Sequence, residues 1–105
     1  MRSGDEVLRA VEQNPADQVG WSELYDLVEP RLRAFVYEIA RAWRGNLTEV
    51  DDVVQTVLGR FSNNFVQKKI RFSSFEHLCN YLLKACRNEL TDQFRRARRQ
   101  RAPSR

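Results

Sequence analysis

Cysteine, histidine, glycine and proline are scarce in this 105-residue chain, and each scarcity closes off a class of chemistry. The two cysteines, Cys79 and Cys86, are too few for a disulfide scaffold. Seven residues apart on one face of a helix, they stand about 10 Å apart by helix rise, beyond the reach of a disulfide. With His77 as the one histidine, a four-ligand zinc site cannot be assembled. Both thiols therefore read as small apolar core side chains, and no metal or cofactor is expected. Four glycines and three prolines form neither a phosphate-cradling loop nor a low-complexity stretch. No run of about 18 apolar residues occurs, which excludes a membrane-spanning helix. The opening MRSGDEVLRAVEQNP lacks the apolar segment of a secretory signal, so a cytoplasmic protein without membrane contact is expected.

What is present is one small core's worth of apolar residues (42%) and a dense but uneven charge, net +4. From Lys84 to Arg105, eight basic residues face only Glu89 and Asp92, leaving +6 in that stretch and −2 in the remainder. An acidic body with a basic end points to two partners, or to one partner with two surfaces.

Apolar periodicity organises the chain into helices. In Thr48–Phe65, Val50, Val53, Val54, Val57, Leu58, Phe61 and Phe65 recur at three- and four-residue steps, one stripe down a helix. Thr48 is placed as its N-cap. Asp51, Asp52, Gln55, Thr56, Gly59 and Asn63 fall on the opposite face, with the acids where the helix dipole favours them. Upstream, Asp5–Gln13 forms a short helix, and Asn14-Pro15 reads as an N-cap followed by proline at the first helical position. The next helix carries Trp21, Leu24, Leu27 and Val28 to Pro30, where a kink or break is expected. Leu32, Phe35, Val36, Ile39 and Trp43 continue the stripe to a left-handed cap at Gly45-Asn46. After the irregular FVQKKIRFSS, a capping box of Ser73 and Glu76 starts a last helix near Ser74. Phe75, Leu78, Cys79, Leu82, Ala85, Cys86 and Leu90 form its apolar face, which Phe94 extends. The expected fold is all-α, a bundle of three to four main helices. Residues 1–20 form a partly helical N-terminal segment, 21–99 the domain, and 100–105 a basic tail or the start of a linker.

Catalysis finds little support. Adjacent Asp51 and Asp52 diverge by about 100° on a helix, and His77 lacks a nucleophile or acid at a matching spacing. An enzyme is not expected. Nucleic-acid binding is better supported. Lys68, Lys69 and Arg71 alternate with Phe65, Ile70 and Phe72, the mixture that tracks phosphates and stacks on unpaired bases. On the last helix Asn80, Lys84, Arg87, Asn88, Thr91 and Arg95 make a polar, basic ridge opposite the core stripe. Its cations suit phosphates and its amides suit base edges.

Three segments carry a family resemblance. VDDVVQTVLGRF resembles the AEDLVQEVFLRLW helix of region 2 in extracytoplasmic-function sigma factors of the sigma-70 family. LCNYLLKACRNELTDQFRRARR is similar to that family's FRAWLYRIARNLAIDRLRRRRR, with Leu82, Arg87, Asn88, Asp92 and Arg95 at matching positions. WSELYDLVEPRLRAFVYEIA resembles its opening FEELYRRYRPRLLRLARRLL. The resemblance covers about Trp21 to Arg99. It implies a region 2 domain that docks on the clamp helices of the RNA polymerase β′ subunit through Asp52 and Gln55, with Asp51 and Arg60 beside them. It implies too that Gln67–Ser73 and the last helix read the melted non-template strand of the promoter −10 element, with one base held in a pocket. An anti-sigma protein is a further partner by the same analogy. Thr56 and Tyr81 depart from the family's acid and tryptophan at those positions. No second helical domain of the kind that reads a −35 element is legible, so an isolated region 2, or a protein keeping only the polymerase-binding half, is expected. Two rival readings are a polymerase-binding adaptor that reads no promoter and a generic basic helical nucleic-acid binder.

Overall fold

The computed structural model describes residues 2–42, 49–68 and 70–101, with the side chains of Glu49, Lys68 and residues 97–101 outside the description. Four helices follow one another: α1 (Gly4–Gln13), α2 (Gln18–Ala42), α3 (Glu49–Lys68) and α4 (Phe75–Arg101). The three longer helices pack pairwise, and α1 lies across α2 and reaches the start of α4. The body measures 54 × 26 × 21 Å. The expected all-α bundle is what forms.

α1, α2 and α4 each start where a side chain can satisfy a first-turn amide. Ser3 Oγ accepts from the Glu6 N–H at 3.2 Å and Glu6 Oε1 accepts from the Ser3 N–H at 2.9 Å, a reciprocal capping box. These bonds hold the Glu6 carboxyl below its usual pKa. Asn14 closes α1, its N–H donating to the Ala10 carbonyl at 3.0 Å, so it does not cap α2 as expected. Pro15 and Ala16 form a turn, and Asp17 caps α2 by accepting from the Val19 N–H at 3.0 Å.

Of the kink or break expected at Pro30, no break occurs: α2 runs on through it. Proline removes the amide that would bond the Asp26 carbonyl. Both residues lie on the exposed face, so that carbonyl is open to water. The buried Leu24, Val28, Leu32 and Val36 continue the packed stripe on either side. The expected caps at Gly45-Asn46 and Thr48 lie outside the described residues.

α3 extends three residues beyond Phe65 and takes up much of the stretch expected to be irregular. α4 starts beside Ser74 as expected, but its cap differs. Ser74, not Ser73, accepts from the His77 N–H (3.1 Å), and His77 Nδ1 accepts from the Ser73 N–H (3.2 Å). Glu76 takes no part, because Arg31 of α2 binds both its carboxylate oxygens at 3.0 and 3.2 Å.

The core joins all four helices. Val53, Val54, Val57, Leu58, Phe61 and Phe65 of α3 meet the α2 stripe and Leu78, Cys79, Leu82, Cys86 and Leu90 of α4, while Val7, Leu8 and Val11 seal one end. At that end the aromatics converge. Trp21 lies edge-on to Tyr25, Phe61 and Phe65 at 5.5–5.9 Å, and its Nε1 donates to the Pro15 carbonyl at 2.8 Å.

Candidate functional site

The α4 ridge forms as expected. Asn80, Lys84, Arg87, Asn88 and Arg95 are exposed along one side of the helix, opposite the buried Leu82, Cys86 and Leu90. Among the described residues Lys84, Arg87 and Arg95 have no ion-pair partner, so their charges face solvent. Thr91 is half-buried, and its hydroxyl donates to the Arg87 carbonyl at 2.8 Å. The backbone therefore already engages the hydroxyl assigned to base edges.

The connection from α3 to α4 differs from its reading. Phe72 is buried at 4% exposure and cannot offer a face to an unpaired base. It stacks near-parallel on Phe65 at 6.5 Å and meets Phe61, His77 and Tyr81 at 5.2–6.0 Å. The exposed aromatic beside the ridge is Tyr81, at 39%. Arg71 is exposed. Lys69 and the Lys68 side chain lie outside the described residues.

Sequence reasoning missed what fixes this connection. Arg9 donates to the carbonyls of Phe72 (3.3 Å) and Ser73 (2.8 Å), Glu12 accepts from the Phe72 N–H (3.4 Å), and Asp5 accepts from the Phe75 N–H (2.7 Å). The only signal in the sequence is the spacing of Asp5, Arg9 and Glu12, which puts three charges along one side of a short helix. A cavity of about 200 Å³ opens beside these contacts, lined by Glu12, Pro15, Phe65, Val66, Ile70 and Arg71.

The polar face of α3 is divided. Asp51 pairs with Arg33 of α2, and Asp52 accepts from Gln93 of α4 at 3.2 Å. Gln55 is exposed, and beside it Gly59 has open space where a Cβ would stand. Arg60, expected to contact a partner, binds the buried Glu89 at 2.7 Å. Glu89 also receives Gln93 at 2.9 Å and Arg96 at 3.4 Å. A buried carboxylate needs such partners, so Arg60 serves the α3–α4 contact. Asp51, Asp52 and Gln55 remain on the surface, the two acids already engaged by Arg33 and Gln93.

The two thiols are buried and unbridged. Burial pushes Cys86 up to about 12 and raises Cys79 also, the latter against the nearby Arg31 guanidinium. Among the described residues no group of three or more histidines, cysteines or acids is placed to hold a metal ion, and no helix is long and apolar enough to cross a membrane. In the comparisons with known proteins, no family model, no curated protein and no solved structure matches this chain.

Proposed function

We propose that this domain acts as a sigma-like region 2, docking on the β′ clamp helices of RNA polymerase through the α3 face around Asp52 and Gln55. The α4 ridge, with Arg71 and Tyr81 beside it, then takes the −10 non-template strand. The observation that carries the reading is the ridge. Three cations without ion-pair partners among the described residues alternate with the exposed amides of Asn80 and Asn88 on a single helix, a surface suited to phosphates and base edges together. The three matching sequence segments supply the choice of polymerase and promoter over other partners. The cavity beside Ile70 and Arg71 offers an apolar wall and a cation, as a pocket for an unstacked base requires.

A polymerase-binding adaptor that reads no promoter is the second reading. The burial of Phe72, and of Phe65 beneath it, favours it, because that removes the aromatics of the connection from stacking on bases. One preparation separates the two. Asp52→Lys and Gln55→Ala should each weaken binding to a clamp-helix fragment about tenfold with unfolding unchanged. Arg87→Ala or Asn88→Ala should weaken binding to a −10 single strand. Unchanged clamp affinity in both α3 variants removes the polymerase assignment, and equal affinity for −10 and scrambled strands leaves the adaptor.

A further inference from the structure

The geometry points to a role for α1 as a clip that presets the α3–α4 connection for a single-stranded nucleic acid, with Asp5 and Arg9 as positioning residues. The inference rests on the proposed strand-binding surface, although the clip itself is visible without it. The connection between α3 and α4, of which Ile70–Ser74 are described, and the first amides of α4 carry backbone groups that regular structure does not satisfy. Here α1 satisfies four such groups, three on Phe72 and Ser73 and one at Phe75, at distances of 2.7–3.4 Å, from residues 60 to 70 positions away in sequence. The Arg9 fork spans two successive carbonyls while also meeting Glu12 at 2.8 Å. A planar guanidinium with five donors can do this, and a lysine ammonium cannot cover the same three acceptors in one geometry. The Glu12 side chain is only 4% exposed, so the pair is built into the packing.

Two further contacts tighten the clip. A Cβ at Gly4 would stand 2.5 Å from the Phe75 ring, so α1 approaches the start of α4 as closely as glycine allows. Arg31 holds Glu76 from the other side, its guanidinium 5.9 Å from the Phe75 ring. Arg71 and Tyr81 are thereby displayed from a backbone already ordered. A strand that met a loose loop would have to order it on binding and would bind less tightly.

The test compares Arg9→Ala, Arg9→Lys and Asp5→Ala with the wild-type chain. Amide hydrogen exchange is read at Phe72, Phe75, Leu82 and Cys86, and affinity is read for a mixed-sequence ten-nucleotide single strand. Exchange at Phe72 and Phe75 should rise about tenfold in each variant, the loss expected of one bond-sized stabilisation, with Leu82 and Cys86 unchanged. Affinity should fall about fivefold in all three. The signs are diagnostic. If charge alone mattered, Arg9→Lys would bind as wild type and Asp5→Ala, having lost an acid, would bind the polyanion more tightly; either result overturns the positioning role. Unchanged exchange at Phe72 and Phe75 overturns the clip. Loosened amides with unchanged affinity overturn its link to binding while leaving the strand site intact. A wild-type chain that binds neither this strand nor a −10 strand removes the strand-binding half of the proposed function and this role with it, and the exchange data alone then decide whether the clip exists.

Discussion

Replacing Phe72 with alanine separates a core residue from a base-stacking one. The ring is 4% exposed and touches Phe61, Phe65, His77 and Tyr81, so truncation opens a void among four rings from α3 and α4. Phenylalanine-to-alanine changes in such settings cost about 3–5 kcal/mol. Folded domains of this size are stable by only about 5–15 kcal/mol in total. At about 4–5 °C of melting temperature per kcal/mol, the midpoint should fall by roughly 12–25 °C. Phe72→Leu, which keeps most of the volume, should cost about 1–2 kcal/mol and guards against a variant that does not fold. Urea unfolding followed by far-ultraviolet circular dichroism gives both values. The reasoning is refuted if Phe72→Ala unfolds within about 1 kcal/mol of wild type yet loses single-strand binding, since the ring would then be serving a ligand.

Other positions give sharper single readings. Gly59 is exposed in the middle of α3, and nothing lies within 4 Å of the point where a Cβ would stand, so Gly59→Ala should stabilise the isolated domain by about 0.5–1 kcal/mol. If that face docks a helix closely, the same change weakens the complex, and a clamp-helix titration reads the opposite sign. Arg60→Ala should destabilise the domain by about 1–2 kcal/mol through Glu89, discounted because Arg60 is 65% exposed; no loss in thermal unfolding would return Arg60 to the docking surface. Cys86 is an acid whose folded pKa is raised to about 12 by burial. Its contribution is complete below the unfolded thiol's pKa and is lost as pH rises toward 12. Cys86→Ala should therefore show a shallower fall in stability at alkaline pH than wild type, and parallel curves would contradict the burial effect.

Helical periodicity is legible in the sequence because it is a local property. The α3 stripe is buried from Val53 to Phe65 and the α4 stripe from Leu78 to Leu90, since a side chain's face on a helix follows from its position alone. The ridge residues are legible for the same reason. Misreadings gather where distant segments decide. Ser73 and Glu76 have capping-box spacing, but Arg31, 45 residues away, draws Glu76 off, and the cap forms one residue later. Arg60 reads as a free surface cation, and it stays exposed, but it is engaged by the buried Glu89, 29 residues on. Phe72 sits in a basic, aromatic stretch whose composition fits stacking on bases. Its burial is set by rings of α3 and α4 closing around it while α1 holds its backbone, which composition within 65–74 does not encode. At Pro30 the hydrogen-bond cost alone predicts a kink or a break, and the solvent-facing position that opens the freed carbonyl to water emerges only with the packing.

The length of α4 has a metrical consequence. From Asn80 to Arg95 the ridge rises about 22 Å at 1.5 Å per residue. One strand of B-form DNA advances about 3.4 Å per phosphate along the helix axis, and a melted strand extends further per nucleotide. A strand lying along the ridge would therefore be gripped over no more than about six nucleotides, with Lys84, Arg87 and Arg95 as its three fixed charges. Three neutralised phosphates correspond to a slope of about −2 in a plot of log affinity against log salt for single strands. A helix that carries its cations in fixed register thus acts as a ruler, limiting how long a segment can be held at once.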